Sequence, residues 1–223
     1  MISAKTHQKP YKGLPMEGFI ASWYARNTRN DGRRFTSVAK AVASQVAPGG
    51  AILEVAPGPG YLAIQIAKLG DFKVSGLDIS KSFVRIAREN AQQAGVSIDF
   101  REGNAAQMPF PDETFDFVVC TAAFKNFTAP VGALNEIHRV LKPGGKASIF
   151  DLRKDASREA IDEEVRGMQM SRLNTFFTKF TFSTILLKNA YTNEALRRMV
   201  AQSRFGTGEI RPDGIGFELR LAK

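Results

Sequence analysis

Apolar residues along the chain follow two alternating periods, one typical of strands and one of helices. Short apolar runs predict five strands, at 51–55, 73–77, 97–101, 115–120 and 146–150. Helical spacing between these runs predicts helices over 61–68, 80–94 and 129–141. Ser80 is expected to cap the second of these helices, and Gly95 follows its end. Because strands alternate with helices, the pattern predicts a parallel sheet with helices on both faces.

The two ends of the chain differ from this repeat. Residues 16–27 and 30–46 are predicted to be helical and precede the first strand, and a last helix is predicted over 193–202. Extended runs at 208–211 and 215–222 flank Pro212-Asp213-Gly214, which is a hairpin signal. The fold prediction is therefore an α/β, doubly wound, seven-stranded sheet that is mostly parallel and ends in an antiparallel hairpin.

The length of 223 residues favours a single domain over 1–223. Within it we distinguish a helical cap (1–45), a ligand-binding core (46–150), an insert (151–192) and a terminal part (193–223). The insert has apolar residues at helical spacing, among them Leu173, Phe176 and Phe180. It is predicted to cover an apolar ligand as a lid, and a dimer surface, a membrane-touching helix or plain core packing are the alternatives.

Composition narrows the functional classes. A single cysteine and two histidines exclude a disulfide within the chain and leave little for a metal site, so no metal is expected. The first residues lack a signal-peptide core and no apolar run approaches the ~18 residues of a membrane span, which predicts a cytoplasmic protein. The net charge is +9, and residues 1–50 hold eight basic and two acidic residues. This basic segment suits nucleic acid, an anionic membrane or an acidic substrate, and solvated side chains explain it without any partner.

A glycine-rich turn joins the first predicted strand to its helix. Gly58, Gly60 and Ala63 satisfy the G-x-G-x-x-G/A pattern, which brings backbone amides and a helix N-terminus towards a ligand. Asp78 ends the next strand, where a carboxylate can accept hydrogen bonds from both hydroxyls of a ribose. Together these features predict an adenosine-containing cofactor, and a tight turn without a ligand is the alternative.

Glu54 distinguishes between two adenosine cofactors that the glycines fit about equally well. It lies inside the first predicted strand, four residues before Gly58. A carboxylate there would repel the pyrophosphate of a nicotinamide dinucleotide, whereas it would attract the amino group of a methionine moiety. Charge therefore favours S-adenosylmethionine, with S-adenosylhomocysteine as the product.

Four motifs in order carry a resemblance to a known family. They are 54–60 (EVAPGPG), 76–80 (GLDIS), 103–110 (GNAAQMPF) leading into 115–119 (FDFVV), and 138–145 (HRVLKPGG). With them the chain resembles class I S-adenosylmethionine-dependent methyltransferases of the small-molecule branch, which includes the quinone-biosynthesis C-methyltransferases. The resemblance is close over 51–150 and implies a Rossmann-like fold.

The resemblance also implies a set of residues around the cofactor. Glu54 and the turn would hold the methionine end, Asp78 the ribose, Ile79 and the segment at Asn104 the adenine, and Tyr24 would close over the site. The complete set is Tyr24, Glu54, Ala56, Gly58, Gly60, Asp78, Ile79, Asn104, Ala105 and Thr121. Two members depart from the family pattern, because Ala56 replaces its usual first glycine and Asn104 its commoner aspartate.

The residues that would act on the acceptor are less well marked. Methyl transfer from a sulfonium is an in-line displacement that alignment alone can accelerate, so a dedicated base is optional. Lys125, after the fourth predicted strand, is the candidate for contact with the acceptor, and a solvated lysine at a loop tip is the alternative. Tyr11 and Asp151 rank lower, whereas His138 and Cys120 are expected to be structural.

The predicted function is methyl transfer from S-adenosylmethionine to a small-molecule acceptor, apolar or aromatic. The alternatives are an RNA or DNA methyltransferase, favoured only by the charge; an NAD-dependent oxidoreductase; and a non-catalytic cofactor-binding protein. Nucleic acid is disfavoured because no recognisable binding module is present. The sequence leaves open the acceptor, the methylated atom and the oligomeric state, a homodimer included.

Overall fold

A computed structural model describes residues 11–12, 16–28, 32–157, 159 and 189–223. Most of the predicted insert, including Leu173, Phe176, Phe177, Phe180 and Thr184, lies outside the described residues, as does His7.

The described part of the chain forms one sheet with helices on both faces. Its helices are α1 (Gly18–Thr28), α2 (Gly32–Ala43), α3 (Tyr61–Ala67), α4 (Lys81–Gln93), α5 (Pro130–Val140) and α6 (Asn193–Gln202). Its strands are β1 (Ala51–Val55), β2 (Lys73–Asp78), β3 (Asp99–Glu102), β4 (Phe115–Thr121), β5 (Leu141–Leu152), β6 (Glu209–Asp213) and β7 (Gly216–Ala222).

The strand order is β3-β2-β1-β4-β5-β7-β6. The first five strands pair in parallel, whereas β7 is antiparallel to both β5 and β6. The doubly wound, seven-stranded fold with an antiparallel terminal hairpin is thus confirmed. Within the described part of the chain, no helix combines the length and apolar character needed to span a bilayer.

Alternating side chains of the strands fill two apolar layers, one on each face of the sheet. In β1, Ile52 packs in the layer that holds α2, α3 and α4, whereas Leu53 and Val55 pack in the layer that holds α5 and α6. Successive side chains of a strand point to opposite faces. Glu54 therefore points to the same face as Ile52, towards the start of α3.

Several boundaries differ from the sequence prediction. The fifth strand begins at Leu141 instead of residue 146, with an irregularity where it pairs with Phe115 and Phe117. The hairpin turn is Gly214-Ile215, because Asp213 pairs with Gly216 and Pro212 belongs to β6. Proline is tolerated there because β6 is an edge strand. The predicted cap is confirmed, since the Ser80 hydroxyl accepts a hydrogen bond from the Phe83 amide at 3.1 Å.

Candidate cofactor and acceptor site

The site lies where the connections from the sheet diverge, at the carboxyl ends of β1 and β4. The chain leaves β1 through α3 to reach β2 on one side, while β4 lies on the other side of β1. Such switch points leave a crevice above the sheet, in which ligands of open α/β folds bind. The glycine turn after β1 and the segment after β4 form its two sides.

The turn after β1 depends on left-handed backbone at three positions. Ala56, Gly58 and Gly60 have φ angles of 56°, 53° and 80°. Glycine adopts this region freely, whereas an L-residue such as alanine is strained there. Ala56 keeps the conformation while its amide donates to the Leu77 carbonyl at 2.8 Å and its side chain packs against the apolar layer of α5. The replacement of the family's glycine is thus accommodated with local strain.

The two glycines of the turn have different surroundings. A Cβ atom on Gly60 would lie 2.8 Å from the Phe100 ring and 3.0 Å from the Ala87 Cβ, so the turn packs directly against β3 and α4. A Cβ atom on Gly58 would meet nothing within 4 Å. The space beside Gly58 is therefore open to a ligand.

Glu54 is a buried carboxylate below the turn, with 2% of its surface exposed. Its Oε2 accepts a hydrogen bond from the Ala63 amide at 2.8 Å, and no basic side chain of the described residues pairs with it. Burial raises its pKa to about 8, and the nearby charge of Asp78 acts in the same direction. A ligand cation at this position would restore the ionised form.

Asp78 connects the turn to the end of β2. Its Oδ2 accepts from the Gly58 amide and its Oδ1 from the Ser80 amide, both at 2.9 Å. Burial raises its pKa to about 6. A carboxylate oxygen has two acceptor sites, so each oxygen of Asp78 can still accept a hydroxyl of a ribose. The open space at Gly58 and the two carboxylates fit an adenosine cofactor with a cationic amino acid end.

The predicted adenine side is formed by exposed or half-buried residues. Ile79 is 37% exposed beside Asp78, and Ala105 is half-buried. The Asn104 side-chain oxygen accepts from the Ala106 amide at 2.9 Å, which holds the turn at 104–107. The asparagine thus stabilises its own loop and keeps its side-chain NH₂ for other contacts.

Two further predicted residues flank the crevice. Thr121 ends β4 and is half-buried. Tyr24 lies on α1 and packs edge-on against Phe83, with ring centroids 5.8 Å apart. Its ring is thereby held above the start of α4, whose cap follows Asp78.

Lys125 lies on the other side of the crevice in a buried ion pair. Its Nζ donates to Asp151 Oδ1 at 2.8 Å and to the Ala122 carbonyl at 2.7 Å, and its amide donates to Asp151 Oδ2 at 2.8 Å. The Asp151 side chain is fully buried and also accepts from the Leu152 amide. This arrangement excludes the alternative of a solvated lysine at a loop tip.

A short segment from the N-terminal region crosses the same side of the crevice. Tyr11 pairs with Phe127, and the Lys12 amide donates to the Asn126 carbonyl at 2.8 Å. The Lys12 ammonium donates to the Tyr191 hydroxyl at 2.8 Å. Burial raises the pKa of Tyr11, and the charges of Tyr24, Asp78 and Asp151 act in the same direction.

Comparisons with known proteins agree with this geometry. The methyltransferase domain family model matches residues 53–149. The demethylmenaquinone methyltransferase of Chlorobaculum parvum is 32% identical over 167 residues, which cover 72% of this chain and 68% of the relative. The chain belongs to the S-adenosylmethionine-dependent methyltransferases.

Solved structures support the fold of this methyltransferase. A protein of Methanococcus maripaludis, provisionally assigned as an S-adenosyl-L-methionine-dependent methyltransferase, aligns with a TM-score of 0.75 at 23% identity, covering 95% of both chains. The [4+2]-cyclase SpnF aligns with a TM-score of 0.56 at 22% identity, covering 84% of this chain and 80% of that one. At these identities the likeness concerns the fold alone.

Because the chain belongs to this family, the alternative of an NAD-dependent oxidoreductase is discarded. Two further polar residues of the methyltransferase, His138 and Cys120, lie in structural environments. His138 packs edge-on against Phe205, with ring centroids 5.0 Å apart. Cys120 is buried, which raises the pKa of its thiol. Among the described residues no cluster of three or more histidine, cysteine or acidic side chains could hold a metal ion.

Sequence reasoning missed Lys12 and Tyr191 and ranked Asp151 and Tyr11 low. Lys12 and Tyr191 meet although 179 positions separate them, and no local spacing indicates such a contact. The signal for Asp151 was its position directly after the fifth predicted strand, next to the end of the fourth. Because neighbouring parallel strands end at the same edge, an acid there is expected to approach Lys125.

We predict opposite stability effects for glycine and alanine exchanges at left-handed positions. Ala56→Gly relieves the strain and raises the free energy of unfolding by up to about 1 kcal/mol, because the lost methyl contact offsets part of the gain. Gly58→Ala and Gly49→Ala, the latter outside the turn at φ 78°, each lower it by about 1 kcal/mol. Urea denaturation measures all three, and destabilisation by Ala56→Gly would contradict the strain at that position.

We predict that Glu54 makes the methyltransferase less stable as the pH rises. Its pKa lies near 8 when folded against an ordinary 4.5, so between these values the folded state holds the extra proton. Stability is therefore lost with rising pH, by at most about 1.4 kcal/mol per pH unit. Glu54→Gln keeps an acceptor for the Ala63 amide and removes this loss. Denaturation at pH 5, 6.5 and 8 measures it, and equal slopes for variant and parent would refute the assignment.

Proposed function

We propose that this methyltransferase binds S-adenosylmethionine over the turn at 54–60 and transfers its methyl group to a small apolar or aromatic acceptor. The observation that carries the proposal is the pair of buried carboxylates, Glu54 and Asp78, which accept hydrogen bonds from Ala63 and Gly58 at a turn with open space beside Gly58. Burial raises the pKa of both carboxylates, and no cation of the described residues pairs with either. A ligand with an ammonium group and ribose hydroxyls would supply a cation for Glu54 and hydrogen-bond donors for Asp78.

The chain's residues have separate tasks in this proposal. Glu54 attracts the amino group, Asp78 accepts the ribose hydroxyls, and the backbone at Ala56, Gly58 and Gly60 shapes the methionine end. Ile79, Asn104 and Ala105 lie along the adenine, while Tyr24 and Thr121 border the sulfonium side. When bound, the cofactor supplies an activated methyl group for in-line displacement, so alignment of the acceptor is the main contribution of the protein.

The Lys125 side of the crevice would hold the acceptor. The ammonium of Lys125 uses two of its three donors, on Asp151 and Ala122, and is held rigidly by them. Among the described residues the third donor has no partner, which leaves it for an oxygen of the acceptor, and Tyr11 pairs with Phe127 in the segment that follows Lys125. A relative with the name demethylmenaquinone methyltransferase supports a quinol-type acceptor, whose oxygen suits such a donor.

We predict that two ligands separate the roles of the two carboxylates. S-adenosylhomocysteine carries the amino acid end, whereas 5′-methylthioadenosine keeps the adenosine and lacks the amino acid. At pH 7, calorimetry in buffers of different ionisation enthalpy should show release of up to about one proton with the first ligand and at most about a tenth of a proton, from Asp78, with the second, because the ammonium lowers the pKa of Glu54.

Matched variants complete this experiment. Glu54→Gln should abolish the larger proton release and lower the affinity for S-adenosylhomocysteine at least about tenfold, whereas the affinity for 5′-methylthioadenosine should be unchanged. Asp78→Asn should weaken both ligands, by about 1 to 3 kcal/mol. NAD should not bind. Equal loss of both ligands in Glu54→Gln would place the amino group elsewhere, and no binding of either ligand would refute the cofactor site.

We predict a strong coupling between Lys125 and Asp151. Lys125→Met and Asp151→Asn each leave a buried group without its partner and should lower the free energy of unfolding by about 3 to 5 kcal/mol, whereas the double variant should lose less than the sum. The double variant therefore tests the acceptor role without a buried charge. Its affinity for S-adenosylhomocysteine should be unchanged, and its turnover of a reduced naphthoquinol acceptor should fall at least about tenfold. Turnover equal to that of the parent would exclude Lys125 from acceptor binding.

A further inference from the structure

The outward face of α1 carries large apolar side chains in contact with solvent. Phe19 is 76% exposed, Trp23 54% and Ile20 42%. Phe19 and Trp23 are four positions apart and therefore lie on one side of the helix. Isolated exposed apolar residues are ordinary, but three on one short helix form a patch that indicates an interaction surface.

The helix is held firmly to the body of the protein by its opposite side. Ala21 and Ala25 are buried against Phe83 of α4. The Gly18 amide donates to the Ser82 hydroxyl at 2.9 Å, and the Tyr61 hydroxyl donates to the Ala25 carbonyl at 2.8 Å. Both ends of α1 are thus fixed, so the patch is presented in a defined orientation.

The charges around the patch are mainly positive. Arg26 is exposed on α1, which has no acidic residue, and Lys81 and Arg85 are exposed on the adjoining α4. The acidic groups nearby are Glu17, whose carboxylate accepts from the Ser82 amide, and Glu89, which pairs with Arg85.

We propose that the outer face of α1 is a membrane-docking surface, which places Phe19 and Trp23 in the interfacial region of an anionic lipid bilayer. Exposed aromatic residues bordered by basic side chains are the pattern of helices that lie in a membrane interface. Tryptophan is favoured there because its ring is apolar and its N–H can remain hydrated. Basic residues add attraction to anionic head groups.

A second copy of the chain fits this face less well. A stable protein interface buries about 800 Å² on each partner and involves some 20 to 30 residues a side. The patch has three apolar side chains and a positive border that would repel an identical copy. An anionic bilayer is complementary to both of its properties.

The docking surface can be tested without cofactor or acceptor, so its outcome is independent of the proposed function. Trp23 is the single tryptophan of the chain, and its fluorescence therefore reports on the patch alone. With vesicles of phosphatidylcholine and phosphatidylglycerol, we expect a blue shift and quenching by brominated lipid acyl chains. With phosphatidylcholine alone, the effect should be several-fold weaker. No quenching on the mixed vesicles would overturn the proposal.

Variants distinguish lipid binding through the patch from nonspecific adsorption to the vesicles. Phe19→Ser and Trp23→Ser should each reduce co-sedimentation of the full chain with the mixed vesicles about tenfold. Leu69→Ser, at a leucine 42% exposed beyond the end of α3, should leave it unchanged. Arg26→Gln should reduce it about threefold, and S-adenosylhomocysteine binding should be equal in all variants. Equal loss in Leu69→Ser, or a dimer in light scattering that Phe19→Ser dissociates, would refute membrane docking.

Discussion

The candidate site depends on hydrogen bonds between buried carboxylates and backbone amides. Glu54 accepts from Ala63 at the start of α3, and Asp78 accepts from Gly58 inside the turn. These bonds fix the turn relative to β1 and β2, but they do not neutralise the carboxylates. Buried acids without a cation are unfavourable in an isolated fold, and such groups are typical of sites prepared for a ligand. The same carboxylates thus hold the turn in place and favour the binding of a positively charged group beside it.

The contrast with Asp151 assigns the two sides of the crevice. Asp151 is also buried, yet it accepts three hydrogen bonds, one of them from the Lys125 ammonium. Its charge is balanced within the chain, so it does not attract a further cation. Only the side of Glu54 and Asp78 lacks such balance among the described residues. This contrast supports the proposed placement of a cationic cofactor on the β1–β2 side and of an acceptor oxygen near the ammonium on the β4–β5 side.

Features with a local cause could be predicted from the sequence. The short apolar runs of β1 and β2, the cap at Ser80 and the glycines of the turn each depend on a few neighbouring residues, and the fold follows from them. Features with a distant cause could not. The ion pair of Lys125 spans 26 positions and the contact of Lys12 spans 179, so both require the assembled fold. The early start of β5 also depends on pairing across the sheet, since Leu141 meets Phe115.

The proposed cofactor and acceptor residues differ in part in the same way. The proposed cofactor residues from Glu54 to Thr121 belong to the continuous core that the methyltransferase family model matches, whereas Tyr24 lies before it. The proposed acceptor side combines Lys125 of that core with Tyr11, Lys12 and Tyr191, which lie before and after it. A chain can exchange such flanking segments without altering the turn or its carboxylates. The same fold in a [4+2]-cyclase agrees with this view, because the core alone does not define the reaction. We therefore expect the flanking segments to contribute to acceptor specificity.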